Sequence, residues 1–593
     1  MTTTNASNAL MRVLHDWGVR TIYGLPGGSF DSTMNAIHDF SDRIRYVGVR
    51  HEEIGALAAV AEAKMTGHIG VVFGSAGPGA VHLLNGLYDA RTDNVPVLAL
   101  IGQVPTAAMN TDFFQELDEN PIFADVAVYD RTVMTAQQLP QVVDTAIRTA
   151  YAKKGVAVVI IPKDLGWTPI EDDHVSSANA FVHPQWELPA REEDVERALD
   201  LLLQARRPII YFGRGARHAG AQIRELSDVL GLPILSTYLG KTVLDDDDPS
   251  YMVSTGRVAT KPAADVGRAA DLLLFIGTNY EFGAHMFAPD ARFIDVNLDA
   301  SAIGARHATE LGIMADARTF LRQLVRAARA RSEGDTPRGV DHAAWLRAAR
   351  EDKEQWRAWI DAKADDDRVP VRLEPVYAEI NRVAAPDAIF TVDVGNVNIQ
   401  AARFLHMGPD TVTTTSPLYA TMGYAAPAGI AAGLAYPGRQ VWTISGDGAL
   451  AMVPSALLTQ AELHLPVINV VMTNKSLGFI EAEQDDTHQP HSGVDLSDVD
   501  FAKVAEGFGV RGYTVRTRED MRRVMDEVAT TTDPVLVDVK VTDDRQLPVE
   551  AFPLRATDRA DFVEFRAHYE AEDLEPFAEI LARNGVDLSR PRA

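Results

Sequence analysis

The sequence predicts an α/β protein of three doubly wound parallel-sheet units with a C-terminal tail. Three observations carry that expectation. The chain has 593 residues, too many for a single core at roughly 150 residues per domain. Short apolar runs recur at 20–23, 69–73, 97–101, 156–161, 208–212, 272–276, 293–296, 389–392, 441–444, 467–472 and 535–537. Each leads through a glycine or polar turn into a longer stretch of helical periodicity, and Val/Ile runs without alternation belong to strands buried on both faces. Two loose, polar segments, 171–193 and 330–341, interrupt the pattern as linkers do.

Those breaks place a first unit at 1–178, a central unit at 190–335, a third at 345–545 and a tail at 546–593, with helical stretches near 561–569 and 576–582. The first and third units look related. FGSAGPGAVHLLNGLYDARTDNVPVLALIG (73–102) and ISGDGALAMVPSALLTQAELHLPVINVVMTN (444–474) share an order of strand, glycine turn, apolar-faced helix and Pro-Val strand entry. Every βαβ unit has much of that order, so the pattern suggests duplication without establishing it.

Composition narrows the partners. Acidic residues outnumber basic ones by 83 to 56, a net charge of −27, so nucleic acid and anionic membrane would be repelled over most of the surface. The tail, with ten acidic and six basic residues, is not expected to anchor on anionic lipid. With no cysteine, disulfides, thiolate nucleophiles and cysteine-held metals are excluded, and a metal must sit on oxygen or imidazole. The opening MTTTNASNALMRVLHDWG lacks the basic segment and apolar run of a secretory signal, and a cytoplasmic location is expected. The uncharged stretch 417–438 holds three prolines and four glycines and reads as buried turn and helix rather than a membrane span.

The strongest chemical signal is Gly446-Asp447-Gly448 at the end of one strand, with Asn474 closing the next. A right-handed crossover brings both to one carboxyl edge, where α/β sheets bind ligands. A carboxylate and an amide oxygen suit magnesium, and the glycines let backbone N–H groups approach phosphate. A lone Gly-Asp-Gly is otherwise a turn; the paired Asn favours the metal reading. His51-Glu52-Glu53 lies between RYVGV and an apolar helix, where carboxylates also simply favour the helix dipole. In the central unit, Gly213 and Gly215 follow a strand but lack the third glycine of a dinucleotide fingerprint. Asp295, at a strand end, is either a ribose-hydroxyl acceptor or a turn residue.

The run from Gly446 to Asn474 resembles the diphosphate-binding motif of thiamine-diphosphate enzymes. The likeness extends over nearly the whole chain and is strongest to the phosphate-dependent, acetyl-phosphate-forming pyruvate oxidases. YGLPGGSF (23–30), VRHEEIGALAA (49–59), FGSAGPGAVHLLNGLYDARTDNVPVLALIGQ (73–103), FFQELDENPIFADVA (113–127), SPLYATMGYAAP (416–427) and NKSLGFIEAEQDDT (474–487) carry it. The resemblance implies thiamine diphosphate, FAD and Mg²⁺ as cofactors, with Asp447, Asn474 and the main-chain carbonyl of Ser476 on the metal. It implies that Glu52 is the acid against the aminopyrimidine, which it drives to the imino tautomer. Met422 becomes the apolar wedge that folds the cofactor, a routine core methionine otherwise. Pro26, Gly27, His82, Gly395, Asn396, Gly446, Gly448 and Ala449 match further positions around the same cofactor. Phe114, Gln115, Phe479 and Glu483 look like the substrate cluster, a helix from Leu477 setting Phe479 and Glu483 four apart on one face. The central unit is implied to bind FAD through Gly213, Arg214, Gly215, Thr237, Arg257, Asn279, Asp295 and Asp316.

The implied activity is oxidative decarboxylation of pyruvate with phosphate and O₂ to acetyl phosphate, CO₂ and H₂O₂. The family places each site between two chains, and a homotetramer is expected. Quinone-linked or acetate-forming oxidases, and acetolactate-type carboligases with a structural flavin, remain alternatives. The acidic tail disfavours the quinone-linked kind, and LGFIEAEQ (477–484) does not match the Met-Val-x-Gln-Trp run of the carboligases. This chain departs from its relatives' pattern at Ala449-Leu450 and Lys475-Ser476. Neither change removes a ligand, and Lys475 reads as solvent-facing or as a neighbour of the diphosphate.

Overall fold

In the computed structural model the described residues are 3–181, 187–279, 287–288, 290–333, 339–486 and 489–542. They form three six-stranded, all-parallel sheets and one small antiparallel pair, Thr3–Asn5 with Pro169–Glu171. The tail and its expected helices lie outside the described residues.

The first sheet runs Arg45–Gly48, Thr21–Gly24, Gly70–Gly74, Val97–Gln103, Val156–Pro162, Ala127–Thr132. The third runs Val412–Thr414, Ile389–Val392, Val441–Gly446, Val467–Thr473, Val535–Lys540, Arg511–Val515. Numbered by chain order within each sheet, both read 2-1-3-4-6-5. The shared order supports the duplication suggested by the sequence. The central sheet, Tyr251–Ser254, Ile234–Ser236, Pro208–Phe212, Leu272–Ile276, Arg292–Asn297, Leu311–Met314, reads 3-2-1-4-5-6, the order of dinucleotide-binding folds.

The interior strands are those the apolar runs predict. Val97–Gln103, Val156–Pro162 and Val467–Thr473 are buried at every position because helices cover both faces. The strands without a clear run are mostly sheet edges, such as Ala127–Thr132 and Arg511–Val515, whose half-exposed residues mix polar and apolar types.

Helix Glu52–Thr66 is apolar nearly all round, with ten buried residues, because it packs on the first sheet and on helix Ala425–Ala435 of the third unit, in one shared core. Ala425–Ala435 is the helix expected within the uncharged 417–438 stretch. Helix Ala343–Ala364 bridges units: Trp345 and Ala348 join the central core, and Trp356 joins the third. Among the described residues, no helix is long and apolar enough to cross a membrane.

Candidate active site

Glu52 is the first residue of its helix, and His51 caps it, its Nδ1 accepting from the backbone N–H of Glu53 at 3.3 Å. The start of a helix favours a carboxylate, yet here the side chain is turned inward and only 6% exposed. Its Oε2 lies 2.9 Å from Nδ1 of His82, and a β-carbon at Gly79 would come within 3.0 Å of Oε1. The rings of His51 and His82 stack at 4.3 Å, so two imidazoles border the acid on one side. His82 ends the short helix Pro78–His82, whose approach is fixed by the neighbouring loops: the Ser29 hydroxyl accepts from the backbone N–H of Ala76 at 2.7 Å and meets the Ser75 hydroxyl at 2.8 Å. Gly27 packs against Ser75 in that pair of loops, and Pro26 beside it is exposed.

The second cluster forms at the carboxyl edge of the third sheet. Parallel register pairs Gly446 with Met472, so Asp447 and Asn474 leave adjacent strands side by side, as the crossover argument requires. Asp447 begins helix Asp447–Met452 and is 4% exposed. Its Oδ1 accepts from Gly448 N–H at 2.9 Å and its Oδ2 from Lys475 N–H at 2.7 Å. Burial raises its pKa, opposed by those backbone N–H groups, while Asp538 raises it further. Asn474 Oδ1 accepts from Ser476 N–H at 3.3 Å, and Lys475, at φ +60°, turns the chain between them with its side chain exposed. One buried carboxylate, one amide oxygen and a nearby main-chain carbonyl form an oxygen donor set that fits a hard divalent cation.

Around this pair the remaining expected residues gather. A β-carbon at Gly478 would lie 2.6 Å from Asn396 Nδ2 and 3.2 Å from Asn474 Nδ2, which puts both amides at one place. Gly395, at φ +118°, precedes Asn396 at the start of helix Asn396–Phe404, a backbone conformation that excludes side chains. The methyl of Met422 lies 3.3 Å from a β-carbon placed on Gly448, and Ala449 is buried next to it.

Asp393, which the sequence reading passed over, holds this turn in place. It is fully buried and accepts from the backbone N–H groups of Val394, Gly423, Tyr424 and Ala425 and from the Ser445 hydroxyl. Those bonds fix the backbone after Met422, where Gly423 adopts φ +84°. Its position in VDVGN, two residues before Gly395, was the available signal.

The first and third units meet through a second unanticipated group. Lys64 Nζ lies 2.7 Å from Asp89 and 2.6 Å from Asp93, and donates to Thr415 O at 2.9 Å. Asp89 also accepts from the Ser416 hydroxyl at 2.7 Å, and Asn85 donates to both Glu53 and Thr421. Burial works against the Lys64 charge, but Asp89 and Asp93 outweigh it and hold the ammonium protonated.

The residues expected at the substrate lie on two separate elements. Helix Gly478–Asp486 carries both Phe479 and Glu483, one residue later than a start at Leu477. Ser476 donates through its hydroxyl to Glu481 at 2.8 Å. On the first unit Phe114 is 77% exposed and Gln115 sits in a loop at φ +63° against Gly77. Among the described residues little covers Phe114.

In the central unit, Gly213 and Gly215 pack on Gly277 and Thr278 where the strand order reverses, the place where such sheets bind ligands. Arg214 donates to the main-chain carbonyl of Asp93, tying that turn to the first unit. Thr237 N–H donates to Phe212 O, and Asn279 accepts from Asn297 at 3.3 Å. Asp295 does not close its strand, which continues to Asn297. It accepts from Gly304 N–H at 3.0 Å, and its buried Oδ1 has no partner among the described residues, an acceptor fitted to a ligand hydroxyl. Asp316 spends one carboxylate oxygen on Thr319 N–H, at the start of helix Ala317–Glu333. The Arg257 side chain lies outside the described residues.

Family models for the N-terminal thiamine pyrophosphate-binding domain, the central domain and the C-terminal thiamine pyrophosphate-binding domain of thiamine pyrophosphate enzymes match residues 4–122, 195–324 and 393–539. The pyruvate oxidase of Lactiplantibacillus plantarum is 44% identical over 591 residues, 98% of this chain and 96% of its own. The chain belongs to the thiamine pyrophosphate enzyme family, in its pyruvate oxidase branch. A Bacillus subtilis protein named as thiamine pyrophosphate-containing is 35% identical over 92% of both chains. The acetolactate synthase large subunit of Parasynechococcus marenigrum is 32% identical over 91% of this chain and 88% of its own. The family's two thiamine-binding domains correspond to the two sheets of like order.

Proposed function

We propose that the chain is a thiamine-diphosphate- and FAD-dependent pyruvate oxidase that converts pyruvate, phosphate and O₂ to acetyl phosphate, CO₂ and H₂O₂. The observation that supports this most is the pairing of buried Asp447 with Asn474 on one sheet edge, in a chain that also keeps a buried Glu52 in a family of thiamine pyrophosphate enzymes. Asp447, Asn474 and the carbonyl of Ser476 would hold Mg²⁺, and Gly395, Asn396, Gly446, Gly448 and Ala449 the diphosphate. When bound, thiamine diphosphate supplies the electron sink for decarboxylation and FAD the two-electron acceptor.

Glu52 holds and returns a proton at its carboxyl, with His82 on Oε2 to share it. Pro26, Gly27 and His82 border the pyrimidine half, and Met422 orients the cofactor from the turn that Asp393 fixes. Phe114 and Phe479 exclude water, while Gln115 and Glu483 contact pyruvate and then phosphate. Gly213, Arg214, Gly215, Thr237, Arg257, Asn279, Asp295 and Asp316 bind FAD. The exposed Phe114 fits an arrangement in which a second chain completes the site, in a cytoplasmic homotetramer.

Purified protein incubated with pyruvate, thiamine diphosphate, Mg²⁺ and FAD, with and without phosphate, tests the reading. Acetyl phosphate and peroxide in equal amounts, both requiring phosphate, are expected. Peroxide formed equally without phosphate, alongside acetate, would overturn the phosphate-dependent assignment, and acetolactate without peroxide would identify a carboligase.

A further inference from the structure

Glu119 opens the short helix Glu119–Phe123 and is 2% exposed. It sits beneath the loop that carries Phe114 and Gln115, and no role falls to it in the reading above. Its Oε2 accepts from Gln103 Nε2 at 3.2 Å. The same amide nitrogen donates to Leu117 O at 2.9 Å, so one side chain at the end of strand Val97–Gln103 grips the loop and the acid together. Gln103 is 3% exposed and fixed in turn, its Oε1 accepting from Val104 N–H at 2.7 Å.

On its other side Glu119 faces the backbone N–H of Gly77, although Oε1 has no partner at hydrogen-bond geometry among the described residues. Gly77 caps the helix that delivers His82 to Glu52, and its Cα backs onto Gln115, the carbonyl oxygen of which would lie 3.0 Å from a β-carbon there. Glu119 therefore stands where three pieces of chain converge: the Phe114–Gln115 loop, the turn leading to His82, and the carboxyl edge of the first sheet. The loop is closed upon itself by a different acid. Glu116 accepts from the backbone N–H groups of Asn110, Thr111 and Phe113 and is half-exposed, so the closed loop meets the body of the unit at Leu117 O, which Gln103 holds, and at the buried carboxyl of Glu119.

The charges that face Glu119 are of one sign: Asp118 on its own segment and Asp130 on strand Ala127–Thr132, the latter held by Asn120 at 2.8 Å. Gln103 and the Gly77 amide are neutral. A buried carboxyl with acidic neighbours and only neutral donors favours its protonated form.

We propose that Glu119, as the neutral acid, is a positioning residue that seats the Phe114–Gln115 loop on the turn leading to His82. Burial first, then Asp130 and Asp118, against the Gly77 amide, push its pKa up to about 8. The seated loop is thus complete at pH 7 and is released as pH rises through that value. Its effect on catalysis rests on the reading of Phe114 and Gln115 as substrate residues; its effect on the loop does not.

Backbone amide hydrogen–deuterium exchange separates the two. Exchange across residues 110–118 of the loop quickens when the loop loosens. The ionised fraction of a group titrating near 8 rises about tenfold between pH 7 and 9. Exchange there in the wild-type holoenzyme relative to Glu119→Gln, each in the same buffer, is therefore expected to rise about tenfold across that range. The neutral, isosteric Gln keeps the loop seated throughout. The pyruvate KM of the wild type should climb over the same interval with kcat little changed, and Glu119→Gln should lack that climb. An exchange ratio that stays flat would overturn the proposal. A ratio that rises while KM stays level in both proteins would leave the seating intact and overturn the substrate role of the loop instead.

Discussion

Glu52 and Asp447 both begin a helix just past the carboxyl end of a parallel strand, both are nearly buried, and their surroundings differ in kind. Glu52 has an imidazole at 2.9 Å, a group that accepts and donates protons, with a second imidazole stacked on it. Asp447 has backbone N–H groups from Gly448 and Lys475, dipoles that stabilise charge but exchange no proton with it. In the proposed function the same motif of acid at a helix start serves two ends. A titratable partner suits proton traffic, whereas fixed dipoles keep a carboxylate ready for a cation.

That contrast can be broken most decisively at Glu52. Glu52→Gln should slow hydrogen–deuterium exchange at thiamine C2 by about 10²-fold to 10⁴-fold, with cofactor affinity changed by no more than a few-fold. Proton NMR of quenched samples reads the exchange, and an unchanged rate would remove the acid from the proton path. The opposite pattern is expected at the other end. Asp447→Ala, or chelation of divalent cations, should weaken thiamine diphosphate about 100-fold by calorimetry, equivalent to roughly 3 kcal/mol. If Glu52→Gln weakened binding as much, the division of labour would be wrong.

The joint between the two regions predicts the next effect. Lys64→Met leaves Asp89 and Asp93 buried without their cation, a loss of about 3–5 kcal/mol, and thermal unfolding should show the first and third units losing stability together. Asp393→Asn keeps the size of the side chain but cannot accept four backbone N–H bonds with full charge. A fall of about tenfold in kcat with near-normal metal binding is expected, since one misplaced positioning group costs on that order.

The smallest effect is one of pH. Glu119 has a pKa raised from 4.5 to about 8 in the folded chain, so folding takes up a proton there. Its contribution is fully present below the unfolded value and is lost as pH rises through 8. Glu119→Gln should therefore gain on the wild type by about 2 °C or more in Tm on going from pH 5 to pH 9. A constant offset between the two melting curves would argue that Glu119 does not titrate in this range.

Much of this was legible along the chain because parallel strands buried on both faces leave unbroken Val and Ile runs, and because glycines at phosphate-binding turns occupy fixed places beside them. Interior strands such as 156–162 and 467–473 and the pair Asp447 and Asn474 follow from such local patterns, whereas Glu52 was singled out by the family resemblance. The edge strands were faint, since a half-solvated strand tolerates mixed residues. Glu119 and the Lys64 group were not legible and Asp393 left only a faint signal beside Gly395, because a charged residue looks the same along the chain whether water or buried partners surround it.

The order of residues by itself determined the α/β class and the pairing of Asp447 with Asn474 at one sheet edge, through short-range periodicity and crossover handedness. Only the tertiary structure decided what each acid faces: an imidazole for Glu52, peptide dipoles for Asp447, a buried lysine for Asp89 and Asp93. Those partners come from other elements up to 30 residues along the chain, and burial, which sets the energy of a charge, is a property of the packed molecule rather than of any local stretch.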